Sequence, residues 1–96
     1  MITLRMLAER RAEILRMAES YRAGKVRVFG SVARGESAAG SDVDFVVEFE
    51  PGTSLLDHGS LIMDLQDTLQ CKVDVVSARG MKDRMKSRVE QEAVAL

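Results

Sequence analysis

Three aspartates and one Gly-Ser pair carry the chemical content of this 96-residue sequence. Asp42 and Asp44 open an apolar run, residues 43–49, as Asp-x-Asp, and Gly30-Ser31 closes a shorter apolar run of Val26, Val28 and Phe29. Residues two apart on an extended strand point to the same face, so Asp42 and Asp44 project together with β-carbons roughly 6 to 7 Å apart. Carboxylates so placed can share hard divalent cations such as Mg²⁺. Gly-Ser at a strand-to-helix turn offers free N–H groups and a hydroxyl to an anion, most naturally a phosphate. A turn for phosphate beside a pair for metal suggests a metal-bound nucleoside triphosphate. Asp74 interrupts a valine run (Val73, Val75, Val76), and a carboxylate there is costly to bury unless it is paired or binds metal. It is the candidate third carboxylate, the alternative being a sheet-edge aspartate facing water. Arg34, about one helical turn past Ser31, either touches phosphate or is a surface arginine.

The elements that position these groups follow from hydrophobic period. Leu4, Leu7, Ala8, Ile14, Leu15, Ala18 and Tyr21 recur at three-to-four-residue spacing, which predicts one amphipathic helix over residues 3–22. Its charged face reads as a solvated surface with ion pairs one turn apart, and Gly24 is expected to end it. A first strand over residues 25–31 leads into the Gly-Ser turn, a short helix over 32–36 follows, and Ala38, Ala39, Gly40 and Ser41 return the chain to the sheet. In the second strand, Val43, Phe45, Val47 and Phe49 point to the core, and Asp42, Asp44, Val46 and Glu48 to the other face. Pro51 and Gly52 break that strand, and Ser54 with Asp57 forms a capping-box-like start. Leu55, Ile62, Leu65 and Leu69, with Leu56 and Met63 alongside, make the next helix amphipathic through Gln70. A third strand spans residues 72–76. Met81, Met85, Val89 and Ala93 mark a closing helix within residues 78–96, rich in Arg79, Lys82, Arg84, Lys86 and Arg88.

Composition bounds the function. Apolar residues at 46%, charged residues at 30% and a net charge of −1 describe one ordinary globular domain over residues 1–96, without global attraction to nucleic acid or membrane. No apolar run approaches the roughly 18 residues of a membrane span, and the amino terminus lacks a secretory pattern, so a cytoplasmic location is the expectation. The single cysteine, Cys71, reads as a small apolar residue. His58, the single histidine, reads as a partly exposed helix residue rather than a ligand or base. The basic closing helix is most simply a solvated face; it could also meet an acidic partner or RNA, although no interleaved aromatic supports dedicated nucleic-acid binding.

Gly30-Ser31, ten residues, Asp42-x-Asp44 and then Asp74 on a later strand resembles the signature of the polymerase-β-type nucleotidyltransferase superfamily. GSVARGE and SDVDFVVEF resemble specifically its minimal, single-domain members, the MNT proteins. The resemblance implies an α/β fold of the polymerase-β-like kind, a small mixed sheet with helices packed on one side. It implies that Gly30 lets the chain approach the triphosphate and that Ser31 holds its terminal phosphates. Asp42 and Asp44 would ligate two Mg²⁺ ions; Asp74 would complete one metal site and help deprotonate the acceptor hydroxyl. The implied substrate is ATP, and the implied partner is a HEPN-domain toxin that the MNT protein adenylylates on a tyrosine, acting as antitoxin.

Larger nucleotidyltransferases of this type add a helical domain. With nothing after Leu96 to fill that place, the cleft is expected to be completed by a protein acceptor, by oligomerisation or within a hetero-complex. Two further readings stay open: an antitoxin that masks its partner sterically without catalysis, and the catalytic subunit of a small-molecule nucleotidyltransferase of the aminoglycoside-modifying type. The latter would need an acidic pocket, which Glu48 and Glu50 supply weakly.

Overall fold

The computed structural model describes residues 2–36 and 42–96. The expected return of the chain through Ala38, Ala39, Gly40 and Ser41 lies outside those residues. Four strands form one mixed sheet: β1 (Ala23–Phe29), β2 (Val43–Phe49), β3 (Val73–Ser77) and β4 (Val94–Ala95), in the order β3-β2-β1-β4. β1 runs antiparallel to β2 and β4, and β2 runs parallel to β3. The helices are α1 (Leu4–Glu9), α2 (Arg11–Ser20), α3 (Gly30–Ala33), α4 (Leu55–Leu69) and α5 (Asp83–Glu92).

β2 is one of the two interior strands, with the bounds that its apolar run predicts. Val43, Phe45 and Val47 are buried against Leu7, Ile14 and Ala18 from α1 and α2 and against Leu61, Leu65 and Leu69 from α4. Val46 faces the other way and is buried outside that cluster, as is Val89 of α5. Val89 also shares a groove with Arg27 and Glu48. α5 packs only lightly on the rest of the fold, with Val89 as its buried residue.

The amino-terminal helix is broken in two. Thr3 caps α1 by accepting the Met6 N–H, and the chain leaves helical geometry at Arg10 (φ −106, ψ 17) before α2 begins. Hydrophobic period carries across the break because Leu7 and Ile14 both reach the core, so the break is invisible to a pattern reading. Arg10 uses the corner to reach α4, donating to the Thr68 carbonyl at 2.7 Å while pairing with Glu13. Tyr21 adds a second tie, donating its hydroxyl to Asp64.

Gly24 does not end the helix; it lies in β1, opposite Glu48. The left-handed residue is Arg22 (φ 62), whose N–H bonds the Glu19 carbonyl and whose own carbonyl accepts the Glu50 N–H at 2.9 Å. Two backbone bonds hold a conformation that a non-glycine residue otherwise avoids. Lys25 (φ 48) makes a bulge between Gly24 and Arg27, which restores Val26 and Val28 to the core face.

Ser54 and Asp57 form the reciprocal capping box at the start of α4. The apolar face of α4 differs from expectation: Leu55, Leu56 and Met63 are 89%, 82% and 69% exposed, and the fully buried residue is Leu61. Leu55 and Leu56 lie in the first turn, left exposed among the described residues. His58 fixes α4 to the sheet instead. Its Nε2–H donates to the Val75 carbonyl at 2.6 Å, and its ring lies 5.0 Å from that of Phe49.

The closing helix stops at Glu92. Ala93 turns to an extended conformation, and Val94–Ala95 pairs with Arg27 and Val28 as edge strand β4. Two residues are too few to show an alternation in sequence. The Leu96 N–H bonds Val26 O at 3.0 Å, and a main-chain oxygen of Leu96 accepts from Arg11 Nε at 2.7 Å. Among the described residues no helix is long and apolar enough to cross a membrane.

Candidate functional site

The site is built where β1 ends and β2 and β3 begin. Asp44 sits directly opposite Phe29 on β1 and opposite Asp74 on β3. Neighbouring strands lie about 4.8 Å apart, so parallel register alone brings together two carboxylates from distant parts of the sequence. Asp42 lies one residue before β2 and is exposed, as is Asp74; Asp44 is half-buried.

Gly30 follows Phe29 immediately and opens α3 with φ +78. It is buried, and a β-carbon at this position would lie 2.5 Å from Asp44 Oδ2. The turn thus passes so close to the carboxylate that only glycine fits it without moving Asp44. The turn helix begins at Gly30, two residues earlier than expected, so Gly30 and Ser31 themselves form its first turn. Their N–H groups face the amino-terminal end, where an α-helical turn has no internal acceptors.

Electrostatics ties these groups together. Burial raises the Asp44 carboxyl above its ordinary value, the negative charges of Asp74 and then Asp42 raise it further, and Arg34 partly offsets them. Arg34 is near enough to feel Asp44, but its Nε donates to Glu36 at 2.8 Å. That hydrogen bond, ahead of the charges of Glu92 and Asp44, favours the guanidinium form. A phosphate reaching Arg34 would compete with Glu36.

Two neighbours escaped the sequence reading. Glu92 approaches Arg34 because the chain returns from α5 into β4, where Val94 pairs with Val28; no local signal marks that return. Cys71 lies near Asp42: burial first, then the Asp42 charge, pushes its thiol up. His58 stands apart, engaged by Val75 and Phe49.

The donor set of Asp42, Asp44 and Asp74 is all carboxylate oxygen, the chemistry a hard cation takes. As the side chains stand, no three metal-ligating groups converge closely enough to hold an ion among the described residues. Asp42 and Asp74 are exposed and free of ion pairs among those residues. Mutual repulsion of three carboxylates is what a divalent cation relieves.

Known proteins resemble this chain. Residues 9–96 match the family model described as nucleotidyltransferase domain. The protein adenylyltransferase MntA of Thermococcus cleftensis is 36% identical over 78 residues, spanning 81% of this chain and 79% of that protein. A solved structure of a candidate minimal nucleotidyltransferase superposes with a TM-score of 0.88 at 44% identity, covering 99% of this chain and 97% of the other. A chain from the complex of the tri-AMPylated Shewanella oneidensis HEPN toxin with its MNT antitoxin superposes at 0.72, covering 94% of this chain and 71% of that one. At 17% identity, that likeness is one of fold.

Proposed function

Because this chain belongs to the nucleotidyltransferase domain family, we propose that it is a Mg²⁺-dependent protein adenylyltransferase, moving AMP from ATP onto a hydroxyl of a protein partner. The partner that fits best is a HEPN-domain toxin and the acceptor one of its tyrosines, which would make the chain an antitoxin. The observation that carries the reading is the meeting of turn and carboxylate: a β-carbon at Gly30 would fall 2.5 Å from Asp44 Oδ2. Phosphate donors and cation ligands are thereby held against each other, as a metal-bound triphosphate requires. The adenylyltransferase name of the Thermococcus relative and the AMP-modified toxin beside its MNT antitoxin support the choice of nucleotide and partner.

In this mechanism Gly30 and Ser31 N–H groups and the Ser31 hydroxyl bind the β- and γ-phosphates, and Gly30 lets the backbone approach them without a side chain intervening. Arg34 exchanges Glu36 for phosphate oxygen, a charge-assisted bond on either side. Asp42, Asp44 and Asp74 would hold Mg²⁺, two ions in the full arrangement, whose chemistry is to stabilise the charge on attacking and leaving oxygens. The acceptor oxygen forms its bond to the α-phosphorus as the bond to the pyrophosphate oxygen breaks. The hydroxyl proton passes to an Oδ of Asp74, an exposed carboxylate. Positioning of the two reactants in line supplies the rest of the acceleration.

The test is transfer of label. The chain is incubated with Mg²⁺, ATP labelled on its α-phosphate and a candidate HEPN partner, in parallel with an Asp42→Asn, Asp44→Asn double variant. Label on the partner that the double variant does not deliver is the expected result. A complex that forms and neutralises the partner with no label transferred would overturn the reading in favour of steric masking.

A further inference from the structure

A groove of about 750 Å³ lies away from the aspartates, where β4 stops short. None of Gly30, Ser31, Asp42, Asp44 and Asp74 lines it. Glu48 in its wall is four residues along β2 from Asp44, roughly 13 Å away on an extended strand. The loop after β3, α5 and the last residues of the chain close its other sides.

The walls are unevenly charged. Arg11, Lys25, Arg27, Arg79 and Lys86 face two carboxylates, Glu48 and Glu90. Arg11 is held by a main-chain oxygen of Leu96, and Lys25 pairs with Glu48 at 3.5 Å. Arg79 and Lys86 are exposed and make no ion pair among the described residues. Arg27 Nε is buried without a hydrogen-bond partner, an arrangement that a donor in a folded chain normally avoids. On a chain whose net charge is −1, this is a local excess of positive charge.

The floor is apolar, formed by Leu15, Val26, Met81 and Val89. No aromatic ring lines the groove, so a nucleic acid would find no stacking platform, and Glu48 and Glu90 would oppose a continuous phosphate backbone. An extended peptide that alternates carboxylate and aliphatic side chains matches both properties: acids to the rim cations, aliphatics to the floor.

From this combination we propose that the groove is a second recognition site, which docks an acidic, aliphatic-containing segment of the protein partner while the aspartate end carries out the chemistry. The proposal rests on the reading that the partner is a protein. Separation by more than the length of a nucleotide's reacting end means that docking and transfer are served by different residues.

The test measures binding of a short fluorescein-labelled peptide alternating glutamate and leucine to the full chain by anisotropy, with single-stranded RNA as the comparison. The variant is Arg79→Glu, Lys86→Glu, both exposed. Peptide binding that weakens about tenfold or more in the variant and falls with added salt is expected. Amide NMR of the unsubstituted chain gives an independent readout, with peptide-induced shifts expected at Lys25, Arg27, Arg79 and Lys86. Peptide affinity unchanged in the variant, shifts confined to the exposed face of α4, or tighter binding of RNA than of peptide at these residues would each overturn the proposal. AMP transfer and Mg²⁺-ATP binding are assayed separately. Their loss with peptide binding intact would count against the transferase reading and leave the groove standing.

Discussion

The two faces of β2 are built from the same seven residues under opposite demands. Val43, Phe45 and Val47 lie against α2 and α4 with at most 1% of their surface exposed. Asp44, one residue from each of two of them, is held half-buried on the other face beside Asp74, where burial and like charge both raise its carboxyl. One face gains free energy by excluding water, about 1.5 to 3 kcal/mol for each large side chain. The other gives some back to keep charge concentrated where a phosphate and a cation can use it. In so small a sheet Asp44 and Asp74 stand on the reverse side of the core itself.

Substitutions on each face should therefore separate stability from chemistry. The largest expected effect on folding is from Phe45→Ala, since Phe45 is fully buried: about 3 to 5 kcal/mol lost, read as a fall in the denaturant midpoint with unchanged slope. Gly30→Ala should cost less, about 1 to 2 kcal/mol for a left-handed non-glycine residue. Its β-carbon meets the end of the Asp44 side chain rather than backbone, so the clash is relieved by turning Asp44 aside. That displacement should abolish AMP transfer while the chain remains folded, a split visible by assaying transfer and thermal melting on one sample. A Gly30→Ala chain with full transfer would show that the turn and carboxylate are not one unit.

His58→Ala tests the boundary between the faces. It removes the bond to the Val75 carbonyl at 2.6 Å and the contact with Phe49, and should cost about 0.5 to 1.5 kcal/mol with little change in transfer rate. The smallest expected shift has the opposite sign. A carboxyl whose folded value is raised above its unfolded one is stabilising while protonated, and that contribution is lost as pH rises through the folded value. Asp44→Asn should consequently raise the melting temperature at neutral pH in the absence of Mg²⁺. The gain should vanish below the ordinary carboxylate range, near pH 3.9 or about that of unfolded Asp. A variant less stable than the parent at neutral pH would contradict the crowding of Asp44.

Where the sequence was legible, a local rule and the tertiary structure agreed. The bounds of β2 follow from its apolar run, and the capping box at Ser54 and Asp57 is a pattern that local geometry alone satisfies. The shared side of Asp42 and Asp44 follows from period-two logic, whereas Asp74 joins them through the β2–β3 register and Gly30 through a left-handed turn. Errors arose where the next element decides. Leu55 and Leu56 have the spacing of a buried face but sit in a turn left exposed among the described residues. Arg10 breaks a helix whose apolar period is unbroken, and Arg22 takes the left-handed conformation that Gly24 was expected to supply. Glu92 reaches the site through a two-residue strand that has no pattern of its own.

The parallel register of β2 and β3 has a consequence for how this chain folds. Asp44 lies beside Asp74 and Phe45 beside Val75. If β3 slipped by one residue, Asp74 would turn inward among the valines and leucines, and Val73 and Val75 would turn out to water. An unpaired carboxylate in that layer is among the costlier errors a small protein can make. The residue assigned to the chemistry thus also proofreads the pairing: a misaligned sheet is disfavoured by the same charge that would make the aligned one active.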